Sequence, residues 1–418
     1  MECGYSVQMK HTTTIRFAFL VLVTALMHPA LAKAKPKPPK VTPTAPLYLY
    51  MTNSVGTNSN HADSTISRYI IGDGSFLQLV DTFPVPTEFD ASYGRMDPSG
   101  RYFYNVRPET GNIVCYHVLK SGAVTLQNCN MQHIDGRPES ISFDPTGRFG
   151  YVKDYLLQFH GPHGQDATHR YGEGPYSRIW QFKVAADGSL EPLAPAYAIA
   201  EEAGPQKLLF AKHGQFAYLC HSNGISEYIV NTNGTLTSLS PKPISGPLNA
   251  SSFVLDPNGR YLYAGDLAQY PRIRRYKIED DGKLMELTAI PIPEICSGQE
   301  ISVDPTGQYA YIRTRTSEKE IIPGKPYPLY HEYIYQFHIE RDGTFTPLNP
   351  SRIETDHSLL ALGFHPDGKS LYCAFFLSNS IRRYAIHPDG TLQVFEAVRI
   401  PGSTTSEHII TIVRRSSP

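Results

Sequence analysis

Short apolar segments alternate along this chain with tight polar turns, and one such unit recurs. Asp144-Pro145-Thr146-Gly147 separates the apolar run Ile141–Phe143 from the run Phe149–Val152. Proline presets φ at one turn position, glycine accepts a positive φ at another, and alternating apolar residues on both sides are typical of strands. The unit therefore predicts two antiparallel strands joined by a tight turn.

The same turn recurs along the chain, with one degenerate copy. The copies are Asp97-Pro98-Ser99-Gly100, Asp256-Pro257-Asn258-Gly259, Asp304-Pro305-Thr306-Gly307, His365-Pro366-Asp367-Gly368 and the degenerate Ala211-Lys212-His213-Gly214. A tyrosine-rich segment such as Tyr102–Tyr104 or Tyr261–Tyr263 follows each of them. A repeat of this kind indicates an array of similar structural units rather than one irregular domain.

A second series of turns runs between the members of the first. Its members are Asp73-Gly74, Ser121-Gly122, Asp187-Gly188, Asn233-Gly234, Asp281-Gly282, Asp342-Gly343 and Asp389-Gly390. Pairs of this type are strong hairpin signals. Each unit is therefore predicted to be a meander of four strands, A to D, in which the first turn type joins A to B and the second joins C to D.

The first series has six members and the second has seven, so one unit lacks its own strand A. The pattern starts directly with a B strand, Leu47–Met51, and the β-branched segment Ile409–Val413 has no partners of its own. We expect that segment to complete the first unit. The prediction is an all-β fold, a seven-bladed β-propeller of four-stranded antiparallel blades with its ends joined.

The N-terminal region has the features of a secretory signal. An apolar run, Phe17–Met27, follows Lys10 and Arg16 and precedes Ala30-Leu31-Ala32, and it is too short to span a bilayer. The predicted boundaries are a signal peptide at 1–32 with its true start at Met9, a Pro/Lys-rich tether at 33–45, the propeller at 46–413 and a tail at 414–418. A disordered apolar tail is the alternative interpretation of the first segment.

Charge and localisation limit the possible partners. Lys and Arg total 38 against 39 Asp and Glu, so no nucleic-acid partner is expected. We expect a secreted or periplasmic monomer without a transmembrane anchor and without a cofactor. Its partner would be a small molecule, a glycan or a protein.

The Asp/His-Pro-x-Gly units followed by tyrosine resemble those of the bacterial lactonase-like seven-bladed propellers. That group includes 6-phosphogluconolactonase and carboxymuconate cyclase, and the pattern is also similar to YVTN-repeat propellers. The resemblance covers roughly residues 46–413 and implies the propeller fold and a lactone hydrolase or cyclase. Enzymes of the group are associated with an Arg-His pair at the start of an inner strand A, where this chain has Gly204-Pro205-Gln206-Lys207.

Strand direction predicts where chemistry would take place. The A–B and C–D turns share one face, and the B–C and D–A loops share the other, where the inner A strands begin around the channel. Glu139, Lys207, Glu300 and His408 are the candidate catalytic residues there, for acid–base work on an ester or lactone. Arg95 and His357 are candidate ligand-binding residues. The alternative interpretation is that these are simply the polar residues of a wet channel.

Long B–C insertions at 53–65, 155–176 and 316–333 are predicted on the same face. The second carries His160, His163 and His169, which offer ligands for a divalent metal, although a solvated loop without metal is the favoured interpretation. The third carries Tyr327 and Tyr330 among prolines, a composition that suits stacking on a glycan or peptide. Packing on a neighbouring blade is the alternative.

The cysteines predict one disulfide. Cys115 and Cys129 are each seven residues from Gly122, so they would face each other across strands C and D of one blade. Two free core thiols are the alternative. Cys220 and Cys373 lie in B strands and are interpreted as buried apolar residues, and Cys296 would lie on a D–A loop.

Two classes of function follow from the sequence. The first is an exported, non-catalytic propeller that binds its partner through the loop-rich face. The second is a lactone hydrolase or cyclase that uses channel-mouth Glu, Lys and His residues.

Overall fold

A computed structural model describes residues 46–53, 65–84, 94–108, 110–155, 177–200, 205–221, 224–244, 250–266, 272–292, 300–321, 329–375, 377–400 and 410–414, some of them by backbone alone. These residues form strands in seven four-stranded antiparallel sheets, with single 3₁₀ turns at Asp73–Ser75 and Lys212–Gly214. The predicted all-β, seven-bladed propeller is confirmed. No helix in the described ranges is long and apolar enough to cross a membrane.

Each blade contains strands A to D in the predicted order. Blade 1 has β28 (Ile410–Arg414), β1 (Leu47–Asn53), β2 (Thr65–Ile71) and β3 (Leu77–Pro84); blade 2 has β4 (Gly94–Met96), β5 (Tyr102–Arg107), β6 (Asn112–Val118) and β7 (Val124–His133); blade 3 has β8 (Arg137–Phe143), β9 (Phe149–Tyr155), β10 (Ser177–Val184) and β11 (Leu190–Ala200); blade 4 has β12 (Pro205–Ala211), β13 (Phe216–His221), β14 (Gly224–Val230) and β15 (Leu236–Ser238).

The remaining blades follow the same order. Blade 5 has β16 (Ala250–Leu255), β17 (Tyr261–Asp266), β18 (Arg272–Ile278) and β19 (Leu284–Pro291); blade 6 has β20 (Glu300–Val303), β21 (Tyr309–Glu320), β22 (Leu329–Ile339) and β23 (Phe345–Glu354); blade 7 has β24 (Leu359–Phe364), β25 (Ser370–Phe375), β26 (Ser380–Ile386) and β27 (Leu392–Arg399). Neighbouring A strands contact one another, as β4 and β8 do, so they form the innermost ring.

The C-terminal strand closes the ring, as the sequence predicts. β28 pairs antiparallel with β1, with Leu47 opposite Arg414 and Met51 opposite Ile410. β1 is thereby paired on both sides and has no open edge that could pair with another chain.

The A–B turns are stabilised by their aspartates. The buried Asp144 carboxylate accepts hydrogen bonds from the backbone N–H of Thr146 at 3.1 Å and of Phe149 at 2.7 Å. Gly147 has a φ of 70°, which favours glycine. The degenerate copy in blade 4 folds as a 3₁₀ turn in which His213 has a φ of 57°.

The hydrophobic core is divided among the blade boundaries. Seven clusters of buried side chains are present among the described residues, and each joins two neighbouring blades. The cluster between blades 3 and 4, for example, contains Tyr151 from β9 and Leu219 from β13. A single blade therefore buries its two faces only against its neighbours.

A tyrosine in each B strand fastens that blade to the next one. Its hydroxyl donates a hydrogen bond to a backbone carbonyl in the C–D turn of the following blade. The seven pairs are Tyr50–Gly122, Tyr104–Gly188, Tyr151–Gly234, Tyr218–Gly282, Tyr263–Gly343, Tyr311–Gly390 and Tyr372–Ser75, at 2.6–3.1 Å. We call these residues the latch tyrosines. The last pair crosses the ring closure.

The two ends of the ring differ in how regular they are. We call the end with the A–B and C–D turns the turn face, and the opposite end the loop face. The third predicted insertion on the loop face, at 316–333, is not simply a loop, so the prediction of a loop there was wrong. β21 and β22 extend into it, with Glu320 opposite Leu329, and only residues 322–328 fall outside the described ranges.

Candidate functional site

The loop-face ends of the A strands form one level around the channel. Ser140, Lys207 and Glu300 each pair with the B-strand residue that lies two positions after a latch tyrosine; these partners are Lys153, Cys220 and Arg313 respectively. Lys207 and Glu300 therefore occupy equivalent positions in blades 4 and 6. Glu139 lies one residue before Ser140.

Glu139 sits in an irregularity that recurs around the ring. The pairing of strands A and B shifts between Pro138 and Ser140, and similar shifts occur in β12, β16 and β24. An extra residue of this kind redirects side chains and is frequent beside active sites. In blade 3 the extra residue is an acid.

Glu139 and Lys153 form an ion pair close to the channel. Glu139 Oε2 lies 3.2 Å from Lys153 Nζ, and the two side chains are only 27% and 11% exposed. Burial lowers the pKa of Lys153 below its ordinary value of 10.5, while the attraction of Glu139 acts in the opposite direction. A lysine with a lowered pKa is a better proton donor than an ordinary one, and a carboxylate within hydrogen-bond reach is a possible proton acceptor.

Arg95 is a cation inside the ring for which the described part of the chain offers no partner. It faces the latch tyrosine Tyr104 from strand A of blade 2, whereas the equivalent A-strand residues are uncharged: Ser142, Leu209, Val254, Ser302, Gly363 and Thr411. Burial among protein atoms lowers the pKa of Arg95. The side chain is nevertheless exposed, which fits a position against the open space of the channel.

No described residue offsets the charge of Arg95, since it makes no hydrogen bond or ion pair within the ranges given above. A cation that faces an open channel without a described partner is a candidate group for binding an anionic ligand. Its strand, β4, contacts β8, which carries Glu139. Arg95 and the Glu139–Lys153 pair therefore belong to neighbouring blades.

A second group of charges lies between blades 6 and 7. Glu300 is opposite Arg313 in the sheet, and the Arg313 guanidinium donates a hydrogen bond to the backbone carbonyl of Leu359 in blade 7. Arg382 Nη2 lies 2.7 Å from Asp356 Oδ2. These charges tie two blades together, so this group has a structural role whatever else it does.

The structure brings together two predicted ligand-binding residues, His357 and Tyr330. His357 Nδ1 lies 2.8 Å from the backbone carbonyl oxygen of Tyr330, which is in β22 and half-buried. The buried Glu332 carboxylate accepts the N–H groups of Ser358 and Leu359 at 2.9 Å each, and holds Ser358 at a φ of 61°. This D–A connection is thus fixed against blade 6.

The four candidate catalytic residues are not seen to converge. Glu139 is in blade 3 and Glu300 in blade 6, three blades apart in a ring of seven. The side chain of Lys207, all of His408 and Tyr327, and the metal candidates His160, His163 and His169 lie outside the described residues. No group of three or more His, Cys, Asp or Glu within the described ranges has the arrangement of a metal site.

The described cysteines agree in part with the sequence analysis. Cys220 and Cys373 are buried and are not in disulfides, and Cys115 is disulfide-bonded. The pairing of β6 with β7 shifts between Val114 and Tyr116, which leaves Cys115 opposite residues 129 and 130. The side chain of Cys129 lies outside the described residues, so its pairing with Cys115 stays a prediction, and Cys296 lies outside them altogether.

A groove of about 880 Å³ opens on the turn face, between blades 5 and 6. Its charged side chains are largely satisfied locally, since Arg260 pairs with Asp256 at 3.1 Å and His338 with Glu340 at 3.3 Å.

Lys153 is the functional candidate that the sequence analysis missed. The B-strand residue two positions after the latch tyrosine is Val106, Cys220, Gly265 or Ala374 in other blades, and it is charged only at Lys153 and Arg313 among the described side chains. Alignment of the B strands on their tyrosines would have shown both exceptions.

Comparisons with known proteins agree with this architecture. A family model described as lactonase, 7-bladed beta-propeller matches residues 176–322. The 6-phosphogluconolactonase of Yersinia pestis is 29% identical over 227 residues, a match that spans 46% of this chain and 66% of the relative. The chain resembles the lactonase-like propellers. The 6-phosphogluconolactonase of Serratia proteamaculans is 27% identical over 232 residues, a match that spans 47% of this chain and 69% of the relative.

Solved structures share the fold of this lactonase-like propeller. A candidate 6-phosphogluconolactonase from Bacteroides uniformis superposes with a TM-score of 0.62 and 16% identity, over 88% of this chain and 100% of that chain. The periplasmic gluconolactonase of Pseudomonas aeruginosa gives a TM-score of 0.60 and 15% identity, over 88% and 99%. At these identities the likeness concerns the fold alone.

Proposed function

We propose that this lactonase-like propeller hydrolyses a sugar lactone at the loop-face end of its channel. The observation that carries the proposal is the partly buried Glu139–Lys153 pair, on the blade next to the unpaired Arg95. The names of the relatives, 6-phosphogluconolactonase and periplasmic gluconolactonase, support the choice of substrate class.

The pair supplies an acid and a base for ring opening. Glu139 takes a proton from water, and the resulting hydroxide adds to the lactone carbonyl carbon. The bond between that carbon and the ring oxygen then breaks, and Lys153 gives a proton to the departing alkoxide. The products are a carboxylic acid and a free hydroxyl group, and proton exchange with solvent restores both side chains.

Arg95 binds the anionic part of the ligand. A guanidinium pairs with a carboxylate or phosphate through two parallel hydrogen bonds. A phosphorylated lactone carries such a group before reaction, whereas an unphosphorylated lactone acquires one as the product carboxylate. Together with the predicted signal peptide, this leads us to propose an exported enzyme for sugar lactones.

Binding without catalysis is the second candidate. It is favoured by the sequence at the start of β12, where Gln206-Lys207 stands in place of the Arg-His pair associated with the resembled enzymes. In that case Arg95 would hold a sugar acid in the channel, and the Glu139–Lys153 pair would only line it.

Steady-state hydrolysis tests the proposal. Purified protein is assayed with glucono-δ-lactone, its 6-phosphate and an aromatic lactone, with Glu139→Gln and Lys153→Met as variants. We expect kcat to fall by about 10²–10⁴-fold in each. Lys183→Met is the matched control, because Lys183 pairs at 2.9 Å with Glu191 on the surface of the same blade and should leave kcat unchanged.

Arg95→Gln separates the two candidates. We expect it to raise KM for the phosphorylated lactone about tenfold or more and to leave KM for the unphosphorylated lactone nearly unchanged. Full turnover in Glu139→Gln and Lys153→Met would contradict hydrolysis by this pair. Gluconate binding that is lost in Arg95→Gln, without turnover by the wild type, would favour the binding candidate.

A further inference from the structure

The groove on the turn face between blades 5 and 6 takes no part in the proposed hydrolysis, which lies at the other end of the ring. Asn258 and Arg260 come from the A–B turn of blade 5, Thr306 and Gln308 from that of blade 6, and residues 338–344 from the C–D turn of blade 6. The groove has a volume of about 880 Å³. Ligand sites in proteins have volumes of roughly 300–1,000 Å³, so it could hold a molecule larger than a simple ion.

The boundary between blades 4 and 5 shows why this groove is open. There Lys212, the second residue of the A–B turn of blade 4, reaches the C–D turn of the next blade. Its Nζ lies 2.6 Å from the backbone carbonyl oxygen of Glu279 and 3.4 Å from Asp280 Oδ1. The second residue of the same turn in blade 5 is Pro257. A proline is too short to reach across the boundary, so the corresponding space between blades 5 and 6 remains open.

The charge at this position of the C–D turn also changes sign. Arg341 stands immediately before Asp342-Gly343, where blade 5 has Asp280 before Asp281-Gly282. The Arg341 side chain is exposed and lines the groove. Within the part of the chain that the structure describes, it has no hydrogen-bond or ion-pair partner. A guanidinium is therefore available to a ligand in the groove.

Arg260 supplies a second guanidinium. Its Nε lies 3.1 Å from Oδ2 of the buried Asp256, and this contact anchors the side chain. None of the described residues accepts a hydrogen bond from its two terminal nitrogens, and the side chain is 45% exposed. A guanidinium binds a carboxylate or phosphate through paired hydrogen bonds, so both arginines favour an anionic ligand.

Two carboxylates in the same groove limit what that anion can be. Hydrogen bonds from Thr346 to Glu340 and from Thr344 to Asp342 lower the pKa of both carboxyls, so they are ionised at neutral pH. They would repel a free phosphate or a dense polyanion, whereas ligand hydroxyl groups can donate to them. The exposed amide of Gln308 adds a donor and an acceptor. The groove thus favours a ligand that combines many hydroxyl groups with a carboxylate.

The turn that carries Arg341 is held in place by blade 5. The Tyr261 hydroxyl donates to the backbone carbonyl of Arg341 at 3.3 Å, and the latch tyrosine Tyr263 donates to that of Gly343 at 3.1 Å. Arg275 Nη1 donates to the backbone carbonyl of Asp342 at 2.9 Å. Because these contacts fix the turn in advance, a ligand would bind with little loss of backbone entropy.

We propose that this groove binds an acidic saccharide, a sugar chain that carries carboxylate groups. Arg341 and Arg260 pair with a sugar carboxylate, while Gln308, Glu340 and Asp342 form hydrogen bonds with the sugar hydroxyl groups. The proposal goes beyond lactone hydrolysis and does not depend on it, because the groove and the proposed catalytic pair lie at opposite ends of the ring.

Calorimetric titration of the purified protein with trigalacturonate tests the proposal. We expect a Kd in the micromolar to millimolar range, and we expect Arg341→Ala to weaken binding about tenfold or more. This variant copies Ala186, which has the same turn position in blade 3, so the fold should tolerate it. Lys120→Ala is the matched control, because Lys120 is exposed at the equivalent position of blade 2 and should leave the Kd unchanged.

Three further titrations identify the class of ligand. Neutral maltotriose, tri-aspartate and inorganic phosphate should each bind about tenfold more weakly or worse, because each lacks either the carboxylate or the set of hydroxyl groups. Tighter binding of tri-aspartate or phosphate than of trigalacturonate would overturn the saccharide assignment.

The site itself can also be disproved. Absence of trigalacturonate binding by the wild type at millimolar concentration would overturn the proposal, as would an equal Kd in wild type and Arg341→Ala. Equal weakening in Arg341→Ala and Lys120→Ala would also overturn it, since the protein would then respond to net charge and not to this groove.

Discussion

On the turn face, every B strand of this propeller carries a tyrosine with the same task, whereas on the loop face the same strands have diverged. Seven latch tyrosines donate to backbone carbonyls in the C–D turns of the seven blades. Two residues further along, the same strands carry a valine, a lysine, a cysteine, a glycine, an arginine and an alanine in blades 2 to 7. The regular face holds the ring together, and this frees the other face to vary.

Lys153 and Arg313 show how equivalent positions acquire different roles. Arg313 donates to the backbone of the next blade and so joins blades 6 and 7. Lys153 is paired with Glu139 of its own blade and lies on the blade next to Arg95. An arginine can satisfy several acceptors at once, whereas a lysine is a point charge whose pKa shifts readily on burial. Arg313 therefore suits a structural link between blades, and Lys153 suits proton transfer.

The largest expected effect on the turn face comes from a methyl group at Gly188. This glycine has a φ of 86°, and an added Cβ would lie 2.4 Å from the Tyr102 ring of the preceding blade. Gly188→Ala should therefore destabilise the fold by about 2–4 kcal/mol, measured as the free energy of unfolding in urea. Gly72→Ala is the control, because Gly72 has a φ of −83° and its nearest atom would be 3.9 Å away.

If Gly188→Ala lowers the free energy of unfolding by less than about 0.5 kcal/mol, the turn can shift to accept the methyl group, and the turn face is less rigid than the latches suggest.

The latches themselves should have a smaller effect. Tyr218→Phe leaves the buried Gly282 carbonyl without its 2.7 Å hydrogen bond and should lower the free energy of unfolding by about 1–3 kcal/mol. The control is Tyr197→Phe, since Tyr197 is 39% exposed and its hydroxyl makes no hydrogen bond with a described residue. Equal stability of the two variants would show that packing of the ring, and not its hydroxyl, joins the blades.

The smallest expected effect is the alkaline pH dependence of one latch. Burial raises the pKa of Tyr372 from 10.0 to about 12, so the folded state favours the neutral phenol. Its contribution is complete below pH 10 and is lost as the pH rises from 10 toward 12, by at most about 1.4 kcal/mol per pH unit. Between pH 9 and 11, the free energy of unfolding in urea should fall more steeply with pH for the wild type than for Tyr372→Phe. Identical slopes would contradict this prediction.

The blade plan was predictable because it depends on local chemistry. Asp-Pro-x-Gly and Asx-Gly set the turns, and the surplus β-branched strand at 409–413 indicated how the ring closes. The starting points of the A strands follow from spacing, so the sequence also predicts the strand positions of Glu139, Lys207 and Glu300, whose catalytic roles stay a prediction.

The candidate site was less predictable, because it depends on contacts between blades. Nothing near Lys153 in the sequence shows that Glu139 is its partner, since a shift in strand pairing brings the two together. The sequence predicts Arg95 as a ligand-binding residue at the channel mouth. That it has no partner among the described residues can be seen only when the neighbouring blades are in place. The extended hairpin of blade 6 was mistaken for a loop because its prolines and polar residues are also typical of loops.

The pairing of β28 with β1 has a kinetic consequence. The two strands come from opposite ends of the described chain, so their association requires closure of the longest loop in the fold. Such contacts form late, because the chain loses the entropy of loop closure before the new contacts contribute favourable energy. Until then β1 presents a free edge to other chains. If this protein crosses a membrane N-terminus first, β1 stays unpaired on one side until β28 has also crossed. Protection of β1 during that interval, by a chaperone or by fast folding of the middle blades, would then determine the yield.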